Sequence, residues 1–223
     1  MFAENPTEQT TAITDVILAA QAIAAIAVSR RGVPRKPMWT DIWCWVFGCL
    51  SLASFLGAAS HGLKMADWYR AAIWIPAYLA LGLTMALFVV AAVSMHWDHS
   101  LARRCLPLAV LSAGLFFAVT QFWSDSFLLF VIFESVAMFF SLALYAVCFW
   151  KRREAGSGWL AAGVLVGIVA ALADTQKWLR MTMVWEFDNH GVFHLIQMVS
   201  LLLLTIGIHQ SHSTTAEPVV EGA

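Results

Sequence analysis

The sequence predicts an all-α fold, a polytopic membrane protein built as a bundle of seven transmembrane helices. Three observations carry this. The chain of 223 residues is 61% hydrophobic and only 12% charged, well beyond the roughly half-apolar content of soluble domains. Its apolar residues gather in runs of about 20, the length that crosses a bilayer as a helix. The runs are joined by short polar stretches, and none alternates in the manner of a strand, so no β-structure is expected.

Taken in order, span 1 (about 12–29) carries Asp15 near its start. Span 2 (about 39–62) ends on His61, and span 3 (about 71–94) contains no acid. Span 4 (about 105–123) ends with Thr120 and Gln121. Span 5 (about 126–149) holds Glu134 roughly two turns in, and span 6 (about 157–176) ends near Asp174. Span 7 (about 188–209) opens with Asp188, His190 and His194. Pro76 and Pro107 lie near span starts, where they kink a helix without ending it. Residues 1–210 then form a single transmembrane domain, and the polar residues 211–223 a disordered cytoplasmic tail.

Charge sets the direction. Arg30, Arg31, Arg35, Lys36, Arg103, Arg104, Lys151, Arg152 and Arg153 fall in alternate connections on one side. Only Lys64, Arg70, Lys177 and Arg180 fall on the other. The basic side is the cytoplasmic one, which puts the N-terminus outside and the C-terminus inside. The expected location is a plasma membrane, the inner membrane of a bacterium. With a net charge of −1, nothing points to nucleic acid, and the lipid bilayer is the expected partner. The acidic N-terminus has no basic region ahead of span 1, so no cleavable signal is expected. Cys44, Cys49, Cys105 and Cys148 form no CxxC pair and read as packing residues. Trp39, Trp68, Trp123, Trp150 and Trp185 near span ends read as interfacial anchors.

On this topology His61, at the end of span 2, reaches the same level as His190 and His194, at the start of span 7. The latter pair lies one helical turn apart on one face, a spacing that suits two imidazoles on one metal ion. Asp15, Glu134 and Asp174 fall at the same end, leaving a polar outer third over an apolar floor. Ionisable residues inside a bilayer are costly and mark functional sites. The alternative for each is a hydrogen bond that merely fixes helix packing. His96 with His99 and His209 with His212 form two further pairs with i,i+3 spacing at the cytoplasmic ends, with less to support a site.

Seven spans, a histidine ending span 2 and an HxxxH opening span 7 resemble the CREST superfamily, which includes the alkaline ceramidases and the progestin and adiponectin receptors. The resemblance implies that His61, His190 and His194 hold a catalytic zinc with water in the open position. It also implies a serine four residues before the span-2 histidine, where this chain has Gly57, and an aspartate in span 3, where it has none. Asp67, Asp174, Glu134 and Asp15 are the acids able to substitute. The implied function is zinc-dependent hydrolysis of an amide or ester bond of a membrane lipid. Zinc supplies an activated water and polarises the carbonyl, and Glu134 or Asp174 is the catalytic acid/base. Asp188 is expected to orient His190, and Gln197 to line the cavity.

Two other classes compete. A receptor or sensor would use the same zinc structurally, closed by a fourth protein ligand such as Asp174 or Glu134. A haem between His61 and a span-7 histidine is the third possibility. A retinal Schiff base needs a lysine in span 7, and there is none.

Overall fold

The computed structural model describes residues 2–31, 37–97, 99–123 and 126–215. Seven helices run through it, all long and apolar enough to cross a membrane. They are α1 (Pro6–Ser29), α2 (Met38–Gly62), α3 (Asp67–His96), α4 (His99–Thr120), α5 (Ser126–Val147), α6 (Ser157–Asp174) and α7 (Asn189–Thr215). A π-helical turn, Cys148–Arg152, prolongs α5. Arg35, Lys36 and Asp98 lie outside the described residues.

The helix ends differ from the apolar runs where local chemistry extends them. Asn5 caps α1 by accepting from the Thr7 amide (3.1 Å), and Pro6 takes the first helical position. Both are start signals that hydropathy does not register. They bring Glu8, Thr10 and Thr11 onto a helix. At the other terminus α7 continues to Thr215, past the expected end at 210. The rest of the expected tail, residues 216–223, lies outside the described residues.

The expectation of no β-structure is corrected. Met181–Thr182 and Glu186–Phe187 form a two-stranded antiparallel hairpin between α6 and α7. Two residues per strand are too few to show any alternation. The hairpin is held by tertiary contacts, with Thr10 Oγ1 donating to the Glu186 carbonyl (2.7 Å) and Phe187 buried.

Packing places α1, α2, α3, α5, α6 and α7 in a closed ring, in that order. α4 lies outside it against α3, touching α5 only lightly. Helices in lipid gain nothing from hiding apolar surface from each other, so close packing of small residues must hold them. The α6–α7 seam is built this way. Leu204 packs over Gly163 and Leu160 over Gly207, so that a Cβ would come within 2.9 Å and 2.7 Å of the facing leucine. The buried core (Trp43, Phe47, Phe88, Tyr145, Leu160, Leu201 and Ile208 among others) fills one half of the ring. The other half holds the polar groups.

Candidate functional site

A cavity of about 300 Å³ opens in that polar half, lined by every helix of the ring and not by α4. His61, His190 and His194 all reach it, together with Asp15, Glu134 and Asp174. The histidines descend in exposure. The side chain of His190 is 42% exposed, that of His61 18% and that of His194 11%.

Each imidazole is fixed through Nδ1 by an oxygen from another helix. Glu8 of α1 takes His61 Nδ1 (2.7 Å), and Asp174 of α6 takes His190 Nδ1 (2.7 Å). Thr14 of α1 meets His194 Nδ1 at 2.9 Å. The Thr14 hydroxyl proton goes to the Thr11 carbonyl (2.8 Å), so toward His194 its oxygen accepts. With Nδ1 donating, a neutral imidazole keeps its lone pair on Nε2. This is how metal-binding histidines are oriented, by a partner on the nitrogen that does not bind metal.

Asp15 adds the decisive detail. Its Oδ1 lies 3.4 Å from His194 Nε2, and its buried Oδ2 has no hydrogen-bond partner. Nε2 and an ionised carboxylate are both acceptors. Either a shared proton or a cation must lie between them. The space Asp15 occupies is the one Gly57 vacates, since a Cβ at position 57 would lie 2.8 Å from Oδ2.

Nitrogen donors from three imidazoles and an orphaned carboxylate oxygen form a donor set that suits zinc. The ring centroids of His61 and His190 are 6.1 Å apart. Among the described residues, the one group of three or more such side chains whose ligand atoms all lie within 4.8 Å is elsewhere, at His96, Cys148 and Glu154. The three histidines thus surround a wider space, and a shared ion would draw them inward.

The remaining expectations sort by geometry. Asp174 reaches the cavity, but its Oδ1 is taken by His190 and by Asn189 Nδ2 (3.2 Å), so it orients a ring. Glu134 is buried in the cavity wall. Asp188 does not touch His190. Its Oδ1 accepts from the Gly191 amide (2.9 Å) and from Thr11 Oγ1 (3.2 Å), which makes it the N-cap of α7. Gln197 lines the cavity with a buried Oε1 that lacks a partner, and Ser54 lines it deeper. Trp74 and Phe127 set their rings edge-on to His61 and His190. Sequence reading passed over both, since an aromatic residue in a span carries no signal of its own.

The i,i+3 pairs do not form sites as pairs. His96 meets Glu154, whereas His99 Nδ1 meets Ser94 Oγ (3.3 Å). His212 stacks on Trp39, with ring centroids 4.2 Å apart.

A family model covers residues 10–213 of the chain. The chain belongs to the DUF6962 family, a family of unknown function. The DUF6962 region takes in Asp15, His61, Glu134, Asp174, His190 and His194, and only Glu8 of the groups above precedes it. No curated protein and no solved structure matches the chain.

Proposed function

We propose that this DUF6962 protein is an intramembrane zinc-dependent hydrolase that cleaves an amide or ester bond of a membrane lipid. The observation that carries the reading is the arrangement of His61, His190 and His194. Each is oriented through Nδ1, and beside His194 Nε2 an unpartnered carboxylate oxygen of Asp15 is buried in a cavity. Bound there, zinc would supply an activated water at neutral pH and polarise the scissile carbonyl.

The chain's own residues divide the remaining work. Glu8, Asp174 and Thr14 hold the rings. Asp15 and Glu134 are the buried carboxylates left to take a proton from water and return it to the leaving group. Leu18, Leu50, Leu81 and Met85 form an apolar wall suited to an acyl chain. The loop charges put the histidine end on the outer face of a plasma membrane. A ceramide-like N-acyl lipid is what the CREST resemblance implies, and an O-acyl ester suits the same cavity.

The test is zinc content and fatty-acid release from N-acyl and O-acyl lipids in mixed micelles. Wild type is expected to release fatty acid, and His194→Ala to lose both its release and one equivalent of zinc. Equal metal content in the two proteins, grown zinc-replete, would end the site reading.

One observation favours a second reading, that of a receptor or sensor with a closed site. Asp15 lies 3.4 Å from His194 Nε2, a position open to a fourth ligand. Asp15→Asn separates the two. A hydrolase keeps its zinc and slows by about 100-fold or more, whereas a closed site loses zinc.

A further inference from the structure

We infer that the chain holds a second transition-metal site at the opposite end of the bundle, formed by His96, Cys148 and Glu154. It lies about 30 Å along α3 from Trp74 in the first cavity, at the rise of a helix. His96 is the last residue of α3, Cys148 opens the π-turn, and Glu154 follows that turn. Their ligand atoms all lie within 4.8 Å of one another. Four-coordinate zinc sites bring nitrogen, sulfur and oxygen donors within such a span.

Burial gives an independent reason. The side chain of His96 is 2% exposed and Cys148 is fully buried. Glu154 meets both His96 Nδ1 and the Cys148 thiol. A purely structural cluster would leave little unsatisfied. Here His96 Nε2 has no partner, nor has the hydroxyl of Tyr145, whose ring stands edge-on to His96.

The backbone is also irregular at this point. α5 gives way to five π-helical residues, and Arg153 then takes φ 50°, the one positive φ outside glycine among the described residues. Together they turn the chain so that Glu154 comes back beside Cys148, whose carbonyl accepts its amide (3.3 Å). Such π-turns concentrate at functional sites.

The donor set selects the ion. Imidazole, thiolate and a single carboxylate suit zinc or cobalt, and magnesium and calcium prefer oxygen alone. A divalent ion with the Cys148 thiolate and the Glu154 carboxylate makes a neutral set, which suits a buried position. The thiol releases its proton to solvent on binding. Arg152, 46% exposed, sits 3.5 Å from Glu154 Oε1 and donates to the His96 carbonyl (2.7 Å), while Oε2 faces His96 Nδ1, where an ion would take the place of the proton between them.

Cobalt(II) added to the purified full-length protein in detergent tests this directly. Thiolate ligation gives a near-ultraviolet charge-transfer band, and no cysteine lines the first cavity to produce one. The band is expected to saturate at one equivalent in wild type and in His194→Ala. It should bleach with zinc but not with magnesium, and vanish in Cys148→Ser and His96→Ala. Absence of the band from wild type at saturating cobalt overturns the site, whatever the variants do. So does a band kept by Cys148→Ser, or one that disappears with Cys44, Cys49 or Cys105.

Discussion

Gly57 of α2 makes room for the carboxylate of Asp15 on α1: a Cβ on the glycine would lie 2.8 Å from Oδ2 and 3.1 Å from Oδ1. The missing side chain and the buried acid are two halves of one arrangement. Gly57→Ala is therefore expected to displace Asp15 and to destabilise the protein by about 1–3 kcal/mol, the usual cost of overpacking. Asp15→Ala should relieve the clash, so that the double variant is more stable than the sum of the single losses predicts. Thermal unfolding in detergent measures all three. Additive losses would mean that the two residues do not share the space.

The partners on Nδ1 make a separate demand. Thr14→Val removes the acceptor from His194, and Asp174→Ala removes it from His190. Each is expected to weaken zinc binding at the first site by about 10–100-fold, the usual effect of losing such a partner. Zinc competition with a fluorescent chelator reads this. The cobalt–thiolate band should stay at wild-type strength in both variants, since His96, Cys148 and Glu154 are untouched. Undiminished affinity in both would leave the hydrogen bonds without a role in metal binding.

The fold was legible because an apolar run of membrane length has few alternatives, and five of the seven helix starts lie within four residues of such a run. α4 starts at His99, six residues before its expected run, and α1 at Pro6 is equally early. Asn5 and Pro6 start it well ahead of residue 12, through capping chemistry that leaves no mark on hydropathy. Glu8, which orients His61, came into place with that extension, whereas Thr14, which faces His194, lay inside the expected span. Of the site itself, His61, His190 and His194 were visible because polar groups are conspicuous in a span. Which acid faces which ring was not, because it depends on helix rotation. Asp188 is two residues from His190 and caps a helix instead, while Asp174, 16 positions earlier, makes the contact. The His96 and His99 spacing misled for a plainer reason. α3 ends at His96, and Trp97 takes φ −121° and ψ −139°, so helical spacing does not cross the gap. Nothing in the sequence links His96 to Cys148 and Glu154, which meet only through the π-turn.

Asp188 supplies a test of position against proximity. As an N-cap it contributes about 1 kcal/mol to the start of α7, and it also accepts from Thr11 on α1. Asp188→Ala should lower thermal stability by about that amount, or somewhat more. Zinc stoichiometry at the first site should be unchanged, because His190 keeps Asp174. A loss of zinc as large as that in Asp174→Ala would restore Asp188 as the residue that orients His190.

Orientation in the membrane can be read from the two ends of the same molecule. Val184, at the tip of the hairpin beside the first cavity, is 84% exposed. Arg103, in the first turns of α4, is exposed at the basic end. The proposed orientation, with nine basic residues at one end against four at the hairpin end, has the hairpin outside by the positive-inside rule. With the native cysteines replaced by alanine or serine, Val184→Cys in intact cells should react with a membrane-impermeant maleimide. Arg103→Cys should react only after the cells are opened. The reverse pattern would put the histidine cavity on the cytoplasmic face, and with it the entry of any lipid substrate. The thiol cluster would then lie outside, where a free Cys148 is exposed to oxidation and a bound metal would protect it. The labelling thus decides which of the two sites meets the reducing interior of the cell.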